Sequence, residues 1–67
     1  MIPIQHLEVG RRLRLSNGGI AVVVDNPRDG MWIVIRYLEA PHDPQLAGTE
    51  EPCSADDVAE VLDAEQR

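Results

Sequence analysis

The sequence predicts a small, mainly β domain built on an antiparallel meander. Three strand-like runs follow one another between residues 11 and 38, and short clusters of turn-forming residues separate them. The runs are rich in β-branched side chains, and the turn clusters contain Asn-Gly and Asp-Gly. A chain of 67 residues holds one small continuous core, so residues 1–67 are expected to form a single domain.

The first strand is expected to follow a glycine turn. Residues 2–6 hold a proline between two isoleucines, which predicts an extended lead-in able to add an edge strand. The stretch "LEVG" at residues 7–10 predicts a turn that closes on its glycine. Apolar and polar residues then alternate, so Arg12 and Arg14 are expected on the exposed face of a half-buried strand.

Two tight turns connect the following strands. Asn17-Gly18 accepts the positive φ angles of a hairpin, which predicts a turn before the second strand at residues 20–25. That strand is β-branched on both parities, so both of its faces are expected to be covered. A proline and an Asp-Gly pair within residues 25–30 predict the next turn, and residues 31–38 form the third strand.

The C-terminal half begins with a loop. Residues 39–48 contain two prolines and no regular period, which predicts an exposed loop, and residues 49–52 predict a short fourth strand. Ser54 and Asp57 have the spacing of a capping box, which predicts the start of a helical turn.

Two continuations of that turn fit the sequence. The spacing of Val58, Val61 and Leu62 suits a helix that runs to the end of the chain. A single 3₁₀ turn followed by a last short strand over residues 59–63 fits as well. Periodicity alone leaves both open.

The charge is acidic overall and uneven along the chain. The formal net charge is −6; residues 39–67 carry nine carboxylates against one arginine, and residues 1–38 carry five arginines. Acidic proteins are repelled by phosphate backbones, which disfavours nucleic acid unless the arginines share a face. The sequence has no signal-peptide pattern and no apolar run long enough to span a bilayer, so we expect a cytoplasmic protein without membrane contact.

No pattern of catalytic or metal-binding residues stands out. His6, His42 and Cys53 are the nitrogen and sulfur ligand types of the chain, and none has the close spacing of a metal site. We therefore expect no metal and no cofactor, and Cys53 is expected to be a small, partly buried thiol. No nucleophile signature is present, so the chain is not expected to be an enzyme.

Four segments carry a resemblance to a known architecture: "LEVGRRLRLSNGG", "IAVVVDNPRDG", "MWIVIRYLEA" and "GTEEPCSADDVAEVLD". Their order resembles the small SH3-like β-barrels of the KOW and Tudor-like type over nearly the whole chain. The resemblance implies a five-stranded antiparallel SH3-like barrel with a short 3₁₀ turn near the C-terminus, which favours the turn followed by a strand. The expected core of this barrel is Leu13, Leu15, Ile20, Val22, Val24, Ile33, Ile35, Tyr37, Val58 and Leu62.

The other parity of the third strand predicts a surface patch. Trp32, Val34 and Arg36 would lie outside the barrel. Ala21 and Val23 of the second strand would lie beside them. Tryptophan and arginine are enriched at interface hot spots, so the patch is a candidate for self-association or contact with a protein partner. Alternatively, Trp32 covers an open end of the barrel beneath the loop that follows the third strand.

These features predict a small non-enzymatic binding or regulatory module that acts through protein–protein contacts. An acidic barrel can bind a basic protein surface, as some bacterial antirepressors of SH3-like fold do. The expected acidic contact face consists of Glu50, Glu51, Asp56 and Asp57.

Two other functions remain as alternatives. KOW and Tudor-like relatives imply nucleic-acid binding, for which the candidate residues are Arg12, Arg14, Arg28 and Arg36. Plasmid-type dihydrofolate reductases are SH3-like barrels that assemble as tetramers, which would imply a small oligomeric barrel enzyme. Their active-site segment is similar to Val-Gln-Ile-Tyr-Pro, and the corresponding "GTEEP" of this chain keeps only its proline.

Overall fold

Five antiparallel strands form one sheet in the computed structural model, which describes residues 3–64. The strands are β1 (Arg11–Leu15), β2 (Ile20–Asp25), β3 (Trp32–Glu39), β4 (Glu50–Ser54) and β5 (Val58–Ala64). Their order in the sheet is β4-β3-β2-β1-β5. Single 3₁₀ turns span Ile4–His6, Pro44–Leu46 and Ala55–Asp57, and the described residues contain no α-helix. The prediction of a mainly β, antiparallel fold is confirmed.

The sheet has two edges, β4 and β5. Within residues 3–64, β4 pairs with β3 alone and β5 pairs with β1 alone. No ladder joins the two edges in this part of the chain, so the closed barrel is not confirmed.

The first hairpin is set by the Asn17-Gly18 pair, as predicted. Gly18 has a φ of 90°, a left-handed conformation that glycine adopts without steric cost. The Asn17 side chain accepts a hydrogen bond from the Gly19 amide at 2.8 Å, and the Leu15 amide donates to the Gly19 carbonyl at 2.8 Å. Local side-chain chemistry therefore fixes the position where β1 turns into β2.

Asn26 joins the turn between β2 and β3 to the N-terminal segment. Its side-chain amide donates to the carbonyls of Ile4 at 2.9 Å and Leu7 at 2.6 Å, and its oxygen accepts from the Arg28 amide at 2.8 Å. Arg28 also donates from its guanidinium to the Gln5 carbonyl at 3.2 Å.

The prediction of an extended N-terminal lead-in is wrong for Ile4–His6, which form a 3₁₀ turn. The turn closes through a 3.0 Å hydrogen bond from the Leu7 amide to the Ile4 carbonyl. Ile4 is buried in the core, so the segment packs against the sheet through this side chain and is not one of its paired strands.

Residues 55–64 form a 3₁₀ turn followed by a strand, so the long helix is excluded over this range. Ser54 and Asp57 form the predicted capping box at the start of the turn. The Asp57 carbonyl accepts a hydrogen bond from the Ser16 amide at 2.9 Å, which ties the turn to the first hairpin. The chain then continues as β5 along the edge that β1 leaves open.

The core lies on one face of the sheet and matches most of the prediction. Leu13, Leu15, Ile33, Ile35, Tyr37 and Val58 are buried there as expected, whereas Val22 is buried outside this cluster of core residues. Ile20, Val24 and Leu62 are only partly buried, so their assignment to the core is wrong.

The error on β2 is one of parity. Ala21 lies opposite Leu13 and Tyr37, and Val23 lies opposite Ile35, so these two residues enter the core. Because both parities of β2 are apolar, hydrophobicity could not identify the inner one.

Candidate functional site

The candidate surface is the side of the sheet that faces away from the core, here called the outer face. One cross-strand row passes over four strands in register, from Arg12 to Val22, Arg36 and Glu50. Val22 is buried although it belongs to this side. Arginine stems on both neighbouring strands flank it, and such stems cover apolar surface well.

The arginines of the outer face lie beside carboxylates. Arg36 forms an ion pair with Glu50 at 2.8 Å, and Arg14 forms one with Glu60 at 3.4 Å. All four side chains are about half exposed, so each pair contributes on the order of 0 to 1 kcal/mol to stability. The pairs mainly lower the positive potential of this face.

Trp32 begins β3 and is 49% exposed, the largest aromatic surface of the described residues. Val34 lies on the same side of the strand and is partly buried, and Pro52 of β4 is directly opposite Val34. Trp32, Val34 and Pro52 are called the Trp32 patch below. The patch continues into the Arg36–Glu50 ion pair, so an exposed apolar area has a charged border.

Asp29 fixes the start of the strand that carries Trp32. Its carboxylate accepts hydrogen bonds from the amides of Met31 at 2.8 Å and Trp32 at 3.3 Å. These backbone bonds lower the pKa of Asp29 below its ordinary value because they favour the charged form. The turn therefore holds the tryptophan at a defined point on the outer face.

Val23 does not belong to this surface. It is 0% exposed and lies opposite Ile35 in the core, so its predicted placement on the outer face is wrong. Trp32, Val34 and Arg36 are on the outer face as predicted. The alternative, in which the loop after β3 covers Trp32, does not fit the 49% exposure of this side chain.

The four arginines proposed for nucleic acid do not all meet. Arg12, Arg14 and Arg36 share the outer face by their positions in the ladders. Arg28 lies in the turn between β2 and β3, where its guanidinium is bound to the N-terminal segment.

The predicted acidic contact face is divided by the alternation of β4. Glu50 is paired with Arg36 on the outer face, whereas Glu51 follows it on the opposite side of the strand. Asp57 caps the 3₁₀ turn through contacts of 3.3 Å and 3.4 Å with Ser54, and Asp56 is exposed on that turn. A single partner surface would not meet all four acids in the same way.

A concave pocket, which the sequence did not predict, lies on the inner side of β4. It has a volume of about 200 Å³ and is lined by residues from the first hairpin, β3, β4 and the last 3₁₀ turn, among them Leu15, Asn17, Tyr37, Glu51, Cys53 and Asp57. We call it the β4 pocket. The alternation of residues 50–54 was the available signal, because it places Glu51 on the same side as Cys53.

Polar groups close one side of the β4 pocket. The Asn17 amide nitrogen lies 3.1 Å from the Tyr37 hydroxyl, to which it donates, and 3.3 Å from Nε2 of His42. The rings of Tyr37 and His42 are 6.3 Å apart and tilted by 54°. The tyrosine is thereby held with its ring buried and its hydroxyl satisfied.

Cys53 is 2% exposed, and its thiol donates to the Ser54 carbonyl at 3.5 Å. Burial, and secondly the negative charge of Asp57, raise the pKa of Cys53 from an ordinary value of 9.0 to about 11. The expected buried thiol is confirmed. A protonated, buried thiol is a poor nucleophile at neutral pH.

This pKa shift predicts a loss of stability at high pH. The unfolded chain loses the thiol proton near pH 9 and the folded chain near pH 11, so the free energy of unfolding falls between these values. The expected loss is about 2 to 3 kcal/mol. Denaturant unfolding of the wild type and of Cys53→Ala between pH 8 and pH 11 measures it; a flatter pH profile is expected for the variant, and parallel profiles would contradict the assignment.

No family model, curated protein or solved structure matches this chain. The side chains and their surroundings therefore carry the functional assignment. Among residues 3–64, no group of three or more His, Cys, Asp or Glu side chains is placed to hold a metal ion. This part of the chain also contains no helix with the length and apolar character needed to cross a bilayer.

Proposed function

We propose that the chain is a small non-enzymatic binding module that recognises a protein partner through the Trp32 patch. The observation that carries the proposal is the half-exposed Trp32 at the start of β3, beside Val34 and Pro52. An exposed aromatic side chain costs solvation free energy in the free protein, and covering it with a partner recovers that free energy.

The surroundings of the patch support a protein partner. Interface hot spots are enriched in tryptophan and arginine, and they commonly have an apolar centre within a polar rim. Arg36 and Glu50 supply such a rim on one side of the patch. A second copy of the chain is one possible partner, which makes self-association an outcome that the experiment must detect.

The proposed architecture is of the SH3-like type. The antiparallel meander of β1 to β4, followed by a 3₁₀ turn and the return of β5 to the side of β1, supports this resemblance. Fold alone does not determine the partner, so the resemblance adds nothing to the choice of protein over nucleic acid.

Nucleic-acid binding is the second candidate. It is favoured by the placement of Arg12, Arg14 and Arg36 on one face that also carries an aromatic side chain. Two of these arginines are already paired with Glu60 and Glu50, and the net charge of −6 opposes approach to phosphate. The protein partner is therefore preferred.

The Trp32→Ala variant is expected to weaken partner binding by about 30-fold, the effect of losing a hot spot worth about 2 kcal/mol. Affinity purification from the native cell identifies the partner, and titration calorimetry with the purified partner measures the Kd. Met31→Ala is the matched control, because Met31 is 65% exposed and apolar but lies in the turn before the strand.

Sedimentation of the free protein over a range of concentrations detects self-association. Equal affinities for Trp32→Ala and Met31→Ala would contradict the patch. Recovery of RNA or single-stranded DNA, lost in an Arg12→Gln, Arg14→Gln double variant, would establish the second candidate in its place.

A further inference from the structure

The β4 pocket has the size and shape of a receptor for one side chain. Its volume of about 200 Å³ is below the roughly 300 to 1,000 Å³ of typical small-molecule sites. Its walls include the aliphatic Leu15 and the buried ring of Tyr37. Such walls suit an extended, flexible, partly apolar side chain that enters from a larger molecule.

The polar part of the pocket is acidic. Glu51 enters it from β4 and Asp57 from the 3₁₀ turn, and no residue that lines it is basic. Glu51 is partly buried, and within residues 3–64 its carboxylate has neither a hydrogen bond nor an ion pair. A bound cation would form charge-assisted hydrogen bonds with these carboxylates.

Asp57 also acts on the Cys53 thiol, which lines the same pocket. Its charge is, after burial, the second cause of the raised pKa of this thiol. The carboxylate therefore acts across the pocket as well as towards its own capping partner, Ser54. A negative potential in a pocket whose wall is partly aliphatic and aromatic favours a ligand with an apolar stem and a cationic end.

We propose that the β4 pocket binds an arginine side chain of the protein partner, with its guanidinium between Glu51 and Asp57 and its stem against Tyr37. Arginine is preferred to lysine because its planar group donates to two carboxylates at once. The inference rests on the proposed function for the origin of the arginine. Glu51 and Trp32 lie on opposite sides of the sheet, and Pro52 borders both the pocket and the Trp32 patch.

The test needs no native partner. A capped glycine peptide with a single arginine is titrated into the ¹⁵N-labelled full chain, and amide shifts are followed by NMR. We expect shifts that saturate at Glu51, Asp57 and Asn17, with millimolar affinity. The same peptide with citrulline, which keeps the shape and removes the charge, is expected to cause no saturable shift. A lysine peptide is expected to bind more weakly.

Two matched variants separate the pocket from net charge. Glu51→Gln and Glu8→Gln change the charge equally, but only Glu51 lies in the pocket, and Glu8 is exposed away from it. We expect Glu51→Gln to raise the Kd for the arginine peptide about fivefold to tenfold, as the loss of one charge-assisted contact does, and Glu8→Gln to change it less than about twofold. Equal effects, shifts confined to the outer face, or equal binding of citrulline would overturn the proposal.

The two proposals fail in different ways. If the arginine peptide does not bind but Trp32→Ala still weakens the native partner, the pocket proposal is wrong and the patch remains. If the peptide binds as expected and Trp32→Ala has no effect on partner binding, the pocket remains and the patch is wrong.

Discussion

Replacing Ile35 with alanine is expected to lower the free energy of unfolding by about 2 to 5 kcal/mol, the usual cost of removing a large aliphatic side chain from a core. Ile35 is 1% exposed in the middle of β3, and Val23 and Glu51 lie opposite it on the two neighbouring strands. The loss therefore removes contacts at the centre of the sheet. A domain this small has a total stability of the same order, so the variant is expected to be largely unfolded under mild conditions.

Urea unfolding followed by circular dichroism measures this effect. Val9→Ala is the control, because Val9 is apolar but 65% exposed, and a change within about 0.5 kcal/mol is expected there. If both variants lose the same amount, the core assigned to the inner face of β3 is incorrect.

The Asn26→Asp substitution is expected to lower the free energy of unfolding by about 2 to 4 kcal/mol. The carboxylate keeps the acceptor for the Arg28 amide but has no N–H to donate to the carbonyls of Ile4 and Leu7. Both carbonyls would then face a negative charge. The N-terminal segment is expected to detach from the sheet and expose Ile4.

Asn17→Asp is a matched control for this second substitution, since it makes the same chemical change in the other turn. There the Tyr37 hydroxyl, now an acceptor from Asn17, can reverse its role and donate to the new carboxylate. A smaller loss, of about 1 kcal/mol or less, is expected. Denaturant unfolding of both variants decides the point; an equal loss would show that Asn26 does not anchor the N-terminal segment.

Local chemistry made the turns and the last elements predictable. Asn17-Gly18 and the Ser54–Asp57 pair act within a few residues, so their sequence pattern carries the whole signal. The 3₁₀ turn and β5 could not be predicted from the local pattern alone, because the spacing of Val58 and Val61 also fits a helix. Residues 58–64 form a strand because they pair with the open edge of β1, and that edge exists only in the assembled sheet.

Long-range pairing determined the features that could not be predicted from the sequence. The parity of β2 depends on which residues of β1 and β3 lie opposite Val23, and both of its faces are apolar. The N-terminal turn depends on a side chain, Asn26, that is 22 residues from Ile4. The β4 pocket likewise depends on three segments that meet only in the fold.

The candidate site was predictable in its residue types and only partly in its arrangement. Alternation along β3 correctly placed Trp32 and Arg36 on one side. It could not show that Arg36 has a carboxylate partner in Glu50, or that Glu51 faces the other way into a cavity. The net charge of a segment predicts that it is exposed to solvent. The partner of each charged side chain depends on which residues lie opposite it on the neighbouring strands.

The central claim is that a protein partner covers Trp32, and fluorine NMR tests it most directly. The chain has one tryptophan, so incorporation of 5-fluorotryptophan gives a single resonance that reports on this side chain alone. On saturation with the unlabelled partner, we predict that the resonance shifts and becomes less sensitive to the exchange of H₂O for D₂O, because the ring leaves the solvent. A resonance with unchanged shift and unchanged solvent sensitivity in the saturated complex would contradict the account.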